Sequence, residues 1–406
     1  MDSGNTAWLL VATALVMVML PGLALFYGGL VRRKNVLSTI MHSFFGLAIV
    51  SVVWVLVGFS LAFGTDVGGL GLIGGLEFAG FMNVGLEPSA IYGTTIPFVL
   101  FAGFQLMFAA ITPALISGAF AERKRFASFV IFIVLWSVVV YSPIAHWVWS
   151  ADGWLYKLGA LDFAGGTVVH ASSGVSALIV ALMIGRRVAN GDSMEPHDIP
   201  MTVLGAGLLW FGWFGFNAGS ALAADGLAAN ALLVTNTAAG AATITWVLVS
   251  YLHKRKVSVV GAACGAVAGL VAITPASGFV TAGGALLIGL FVGGLCYSAT
   301  LLRSRLKIDD ALDVFAVHGV GGTFGAVATG VFATTAINPL GRGLIDGNPG
   351  QLLTQSIAIG ATIAYAVVAT FVIVKVVDAI LGIRVKSDVE EVGLDLAVHG
   401  EVAYQT

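Results

Sequence analysis

The chain has 406 residues with only 19 Lys+Arg and 21 Asp+Glu, a net charge of −2 and a hydrophobic share of 58%. Charged residues are 10% of it, against roughly 25% in a soluble domain; too few charges exist to cover a water-facing surface, so a polytopic membrane protein is expected. The near-zero net charge excludes an electrostatic nucleic-acid binder, and the 53 Gly suit helices that approach closely in lipid.

Charge clusters and polar loops divide the chain into eleven apolar stretches, each close to the ~20 residues a spanning helix needs. The first, about 7–31, is followed by Arg32, Arg33 and Lys34. It is too long for a signal-peptide core and its positive charge comes after rather than before, so it reads as a helix that stays. The second, about 38–63, carries His42 near its inner end, for which the sequence offers no role. The third, about 91–120, runs into Arg123, Lys124 and Arg125, and the fourth, about 126–148, carries His146, read as a satisfied structural histidine near the outer face. The fifth and sixth run over about 163–185 and 199–224, and the seventh and eighth over about 229–252 and 257–274. The ninth, tenth and eleventh run over about 281–302, 311–333 and 351–377, before a tail at 381–406 with both signs of charge. The runs are continuous rather than alternating, so helices are expected and a barrel is not. Cys264 and Cys296 both lie in apolar stretches without a CxxC or zinc pattern, which argues against a disulfide framework or a metal site.

Of the 19 Lys and Arg, only Lys157 and Arg342 fall on the side opposite all the others. The positive-inside rule then puts the N-terminus outside and the C-terminus inside, as an odd number of crossings requires. The expected architecture is all-α, with eleven transmembrane helices in a single membrane domain over 1–380 and a cytoplasmic tail at 381–406.

Asp162, His170 and Gly174 are spaced like Asp310, His318 and Gly322. The first set lies on the fifth stretch, entering from outside; the second lies on the tenth, entering from inside. This is the pattern of a 5+5 inverted repeat, about 7–185 and 199–333, plus one extra helix, a plan that places a site near the midplane. Eight residues of helix put each histidine about 12 Å from its aspartate, so both reach similar depth, where an ionisable side chain points to function. Neutral imidazoles at one depth can satisfy each other, one N–H donating to the bare nitrogen of the other. Asp162 and Asp310 each open a helix, where a carboxylate caps free N–H groups; Asp162 would also ease a cation's approach from outside. Asp313 is expected to fix the inner end of the tenth helix.

Residues 162–174 read DFAGGTVVHASSG and resemble the signature of the Amt/Mep/Rh ammonium transporter family, in its microbial and plant Amt branch. The likeness continues through PGLALFYGGLVRRKN at 21–35, AFAERKRF at 119–126, SPIAHWVW at 142–149, WFGWFGFNAGSA at 210–221, DVFAVHG at 313–319 and GLDLAVHGEVAY at 393–404. The resemblance implies a homotrimer in the cell membrane (plasma or inner) with one pore per subunit. It implies an outer vestibule of Phe104, Phe108, Trp149 and Ser220, a gate of Phe108 and Phe216, and an apolar conduit lined by His170 and His318. It implies ammonium or ammonia as substrate, with methylammonium as an analogue, no cofactor, and a PII-type signalling protein as a partner at the cytoplasmic face.

Cation–π attraction at Trp149 would hold ammonium. An apolar tube would then reject any cation unable to shed a proton, potassium among them. Other readings fare worse. A sensor would carry an added signalling domain, and none is expected after Thr406. A membrane enzyme would carry HExxH, a P-loop or GxSxG, and a potassium channel the TVGYG filter. A retinal protein would want a midmembrane lysine; Lys375 is near a helix end.

Overall fold

The structure is a computed structural model that describes residues 1–188 and 194–405; Thr406, the last residue of the expected tail, lies outside them. Among the described residues there is no strand, only isolated bridges such as Lys124 with Arg384. Among the described residues ten helices are long and apolar enough to cross a bilayer. They are α1 Ser3–Leu30, α2 Arg33–Phe63, α3 Phe98–Phe120, α4 Phe126–Lys157, α5 Gly166–Ile184, α6 Ile199–Gly219, α7 Gly226–Lys254, α9 Ala282–Arg305, α10 Phe315–Phe332 and α11 Gly350–Leu381. Between α7 and α9 lies the shorter apolar helix α8, Val259–Ile273.

Several stretches start or stop differently from expectation, each for a local reason. The third begins at Phe98 and not near 91, because Pro97 takes an extended conformation (φ −54°, ψ 135°) ahead of the helix. The fifth begins at Gly166, since Gly165 sits at φ 113°, a left-handed conformation that favours glycine. The sixth ends at Gly219, well short of 224, and Asp225 caps the next helix by accepting from Leu227 and Ala228. The tenth begins at Phe315, after Asp313 at φ 58°.

Small residues set the packing. On α6, Gly205, Gly212, Gly215 and Gly219 face α1. A β-carbon added at Gly205 would lie 2.2 Å from the Phe26 nitrogen, and one at Gly212 2.3 Å from Met19. Gly265 and Gly269 of α8, and Gly289 and Gly293 of α9, meet Ala238 and Ala242 of α7 in the same way. Lipid tails give little apolar drive for helix association, so close backbone approach supplies it through dispersion contacts. This accounts for the glycine excess in the composition.

The loops and tail at the Arg32 end are held by ion pairs as well as by apolar contacts such as that of Ala403 with Val31, Val36 and Ala121. Glu122 is fully buried and accepts from Arg32 at 2.9 Å and Arg187 at 3.1 Å; Arg187 also donates to Asp309 at 2.8 Å. Arg384 pairs with Glu390 at 2.8 Å, and Asp395 accepts the backbone N–H of Leu37 and Ser38. The Arg125 N–H also donates to the Ile383 carbonyl and the Val385 N–H to the Arg123 carbonyl, so the tail is strapped to the start of α2 and to the loop before α4.

Candidate pore and outer cavity

The end of α6, the last regular turn of α4 and the middle of α3 converge on an open cavity of about 250 Å³. Phe108, Trp149 and Ser220 line it, together with Gln105, Tyr92 and Phe163. The Trp149 indole N–H donates to the Asp162 carbonyl at 2.9 Å, and its ring meets Phe108 edge-on at 5.9 Å. The Ser220 hydroxyl donates to the Phe216 carbonyl at 2.9 Å, which leaves its lone pairs free to accept.

Phe104 does not line this cavity. It is fully buried, edge-on to Phe108 at 5.0 Å, in the slot that Gly219 leaves open; a β-carbon there would come within 2.9 Å of the ring. It buttresses Phe108 from behind. Gln105 was missed by sequence reasoning, although an isolated amide in an apolar helix was the available signal. Its Oε1 is buried without a hydrogen-bond partner.

At the cavity floor Phe108 and Phe216 stack with centroids 4.1 Å apart and planes at 27°. Past them is a nearly closed cavity of about 10 Å³, space for about one water-sized molecule. Its lining is Phe26, Phe216, Trp213, His170, His318 and aliphatic side chains from α1, α3, α5, α6 and α8. His170 stacks on Trp213 at 5.4 Å and on Phe216 at 6.0 Å.

The two histidines meet Nδ1 to Nδ1 at 3.2 Å. One Nδ1 must carry the proton and the other must be bare. The donor ring then has a bare Nε2, and the acceptor ring an Nε2–H. The pair thus combines one acceptor and one donor at its outer edges, whichever ring holds the shared proton.

Both histidines stand in π-helical turns, Gly166–Ala171 and Phe315–Gly319. Such turns interrupt the α ladder and are frequent at functional sites. The expected 12 Å of helix between each aspartate and its histidine is therefore not what separates them: the segment after Asp162 is a glycine loop, and that after Asp310 a turn. The two motifs interlock reciprocally. A β-carbon at Gly174 would lie 2.0 Å from the Gly319 nitrogen, and one at Gly322 would lie 2.8 Å from the Gly166 carbonyl oxygen and from the His170 β-carbon. In each motif the glycine four residues after one histidine makes room for the turn that carries the other.

Asp162 accepts from the N–H groups of Gly165 at 2.8 Å, Gly166 at 2.6 Å and Thr167 at 2.8 Å. Burial pushes its carboxyl above the usual range, and the Thr167 hydroxyl and these N–H groups pull against that rise. Asp310 accepts from the Phe315 N–H at 2.7 Å. Burial, reinforced by repulsion from Asp313, pushes it up to about 6. Asp313 bonds Arg303 at 2.5 Å, so it ties the end of α9 to the turn before α10. His146 bonds the Ala62 carbonyl at 3.0 Å through Nδ1, but its buried Nε2 only approaches Asp66 at 3.4 Å without a hydrogen bond, so it is less fully satisfied than expected. His42 packs on Phe129 at 4.5 Å, with neither nitrogen hydrogen-bonded.

A family model described as "Ammonium Transporter Family" matches residues 7–404. The chain is 51% identical to an ammonium transporter of Bacillus subtilis, over 100% of this chain and 99% of that one. It is 50% identical to the ammonium transporter Amt1 of Archaeoglobus fulgidus, over the full length of both. Among solved structures it resembles Saccharomyces cerevisiae Mep2, with TM-score 0.89 and 40% identity over 95% of this chain and 88% of that one.

Proposed function

This chain belongs to the ammonium transporter family, as a multi-pass membrane protein and not an enzyme, and we propose that it draws ammonium into the outer cavity, strips a proton from it and passes ammonia between the twin histidines. Trp149 and Phe108 offer ring faces to the cation, worth about 0.5–2 kcal/mol according to desolvation, and Ser220 accepts one N–H. Phe104 contributes by holding Phe108. Asp162 makes the approach less costly for a cation and holds the Trp149 indole through its carbonyl. Phe108 and Phe216 form the gate.

The observation that carries this reading is the small apolar cavity closed by stacked rings on one side and floored by a neutral-capable histidine pair. Carrying an unpaired cation into such a space costs at least several kcal/mol. Removing a proton from an amine that titrates roughly two units above neutral costs about 3 kcal/mol at pH 7. Deprotonation is the cheaper course, and potassium has no equivalent. Ammonia then finds an acceptor and a donor on the histidine pair; the released proton crosses with it or stays outside.

Eleven crossings, with α8 as a short span, the N-terminus outside and the C-terminus inside, complete the proposal, as do two inverted five-helix repeats with α11 added. Assembly as a homotrimer, uptake of methylammonium and docking of a PII-type protein at the cytoplasmic face belong to the same reading.

The experiment is flux or current for ammonium and potassium, side by side, in wild type, His170→Glu, His318→Glu and His170→Ala. A carboxylate in the pore offsets part of the cost of a bare cation; potassium should then compete with or accompany ammonium. The alanine variant should lose flux. Acidic variants that still exclude potassium, together with an alanine variant at full flux, would overturn the mechanism.

A further inference from the structure

Gln355 lies in the apolar run of α11, fully buried near the outer end, where an amide is costly unless each of its polar atoms is bonded. All of them are. Its Oε1 accepts the Leu161 N–H at 2.8 Å. Its Nε2 donates to the Leu161 carbonyl at 2.8 Å and to the Ala326 carbonyl of α10 at 2.9 Å. The amide orientation is forced, because a flip would set Nε2 against an N–H and Oε1 against two carbonyls. One turn earlier, Gln351 donates to the Gly159 carbonyl at 2.9 Å.

Leu161 is the residue before Asp162. The Asp162 carbonyl anchors the Trp149 indole at 2.9 Å, and the Asp162 carboxylate caps the turn that carries His170. A side chain from a helix outside both proposed repeats thus grips the backbone one residue from the anchor of the cavity wall.

We propose that Gln355 is a positioning residue for ammonium recognition, clamping Leu161 so that Asp162 presents Trp149 to the cation. It touches neither cavity and acts only through the loop. The inference rests on the reading of Trp149 as the recruiting ring. It extends that reading to α11, which lies outside both proposed repeats.

The test measures half-saturating concentration and maximal flux for ammonium, normalised to membrane abundance. It uses Gln355→Met, which keeps the volume and drops every polar bond, and Gln355→Glu, which keeps the acceptor for the Leu161 N–H. Both are made in wild type and in Trp149→Leu. Loosening a cation–π contact should raise half-saturation about three- to tenfold in Gln355→Met, and at least as much in Gln355→Glu, whose second oxygen would face the Leu161 and Ala326 carbonyls with nothing to donate, with maximal flux changed by under about twofold. In the Trp149→Leu background the same changes should add almost nothing, since the two positions act as one unit. If Gln355→Met fails to reach the membrane, Gln355→Glu decides alone. Unchanged half-saturation, a loss of maximal flux only, or an equal shift in both backgrounds overturns the inference while leaving the vestibule reading intact. A Trp149→Leu variant that itself keeps wild-type half-saturation overturns the vestibule reading, and this inference with it.

Discussion

Replacing Gly174 by alanine should separate the two histidines. The new β-carbon would sit 2.0 Å from the Gly319 nitrogen and 2.4 Å from its α-carbon, whereas ordinary contact begins near 3.4 Å. Both neighbours are backbone, so no side chain can swing aside, and the two turns must retreat by about 1.4 Å. Half of that retreat, carried to the rings, would stretch the 3.2 Å bond between His170 and His318 to about 3.9 Å, beyond hydrogen-bond range. Overpacking of this kind costs about 1–3 kcal/mol and sometimes more. The assay is ammonium flux per unit of membrane protein together with the thermal midpoint. Gly322→Ala serves as a milder case, because its nearest atoms are at 2.8 Å. Gly103→Ala and Gly360→Ala serve as controls, where an added β-carbon meets nothing within 4 Å. The controls should be neutral, or more stable by up to about 1 kcal/mol. Gly322→Ala should lose part of the flux and Gly174→Ala nearly all of it. A Gly174→Ala protein with wild-type flux and midpoint would refute the argument that the glycine pair sets the histidine spacing.

Asp309→Asn should lower stability by about 2 kcal/mol at pH 7. Burial alone would raise the Asp309 carboxyl, but the hydrogen bonds and charge of Arg187, with Arg123, hold it down to about 2. A depressed carboxylate contributes fully above its unfolded value near 4, and that contribution fades as pH falls towards 2. The gap in thermal midpoint between wild type and variant should therefore be constant from pH 7 to about pH 5 and close below pH 4; a gap independent of pH would contradict the ion-pair account. For topology, a reporter fused after Lys256 should read cytoplasmic and one after Asp225 external, and the reverse pattern would reject the orientation proposed from Lys and Arg.

The parts of this fold that could be read from the sequence are those set by composition over long windows. Apolar runs bounded by Arg32–Lys34 or Arg123–Arg125 mark helices with little ambiguity, because a spanning helix needs length and hydropathy and little else. The histidine pair was legible for a different reason: an ionisable group costs so much at depth that two at matched spacing ask to be paired. The π turns at His170 and His318 were not legible, since an extra residue in the hydrogen-bond ladder has no signature in composition. Nor was the place of Phe104, which depends on the slot beside Gly219 in another helix. Gln105 stood in view as an isolated amide in an apolar run, and Gln355 as one of two amides a turn apart, yet what each one faces is decided by segments far away in sequence.

The stacked rings of Phe108 and Phe216 touch at 4.1 Å and leave no hole between them. On the proposed reading, anything that crosses this level would do so only while a ring is swung away, so the entrance would behave as a turnstile and not as a pipe. The space behind admits about one small molecule. Throughput is then counted in ring excursions, one passenger to each, and should rise with temperature more steeply than diffusion through water does. Widening the outer cavity would leave that ceiling where it is; only the freedom of two phenyl rings would move it.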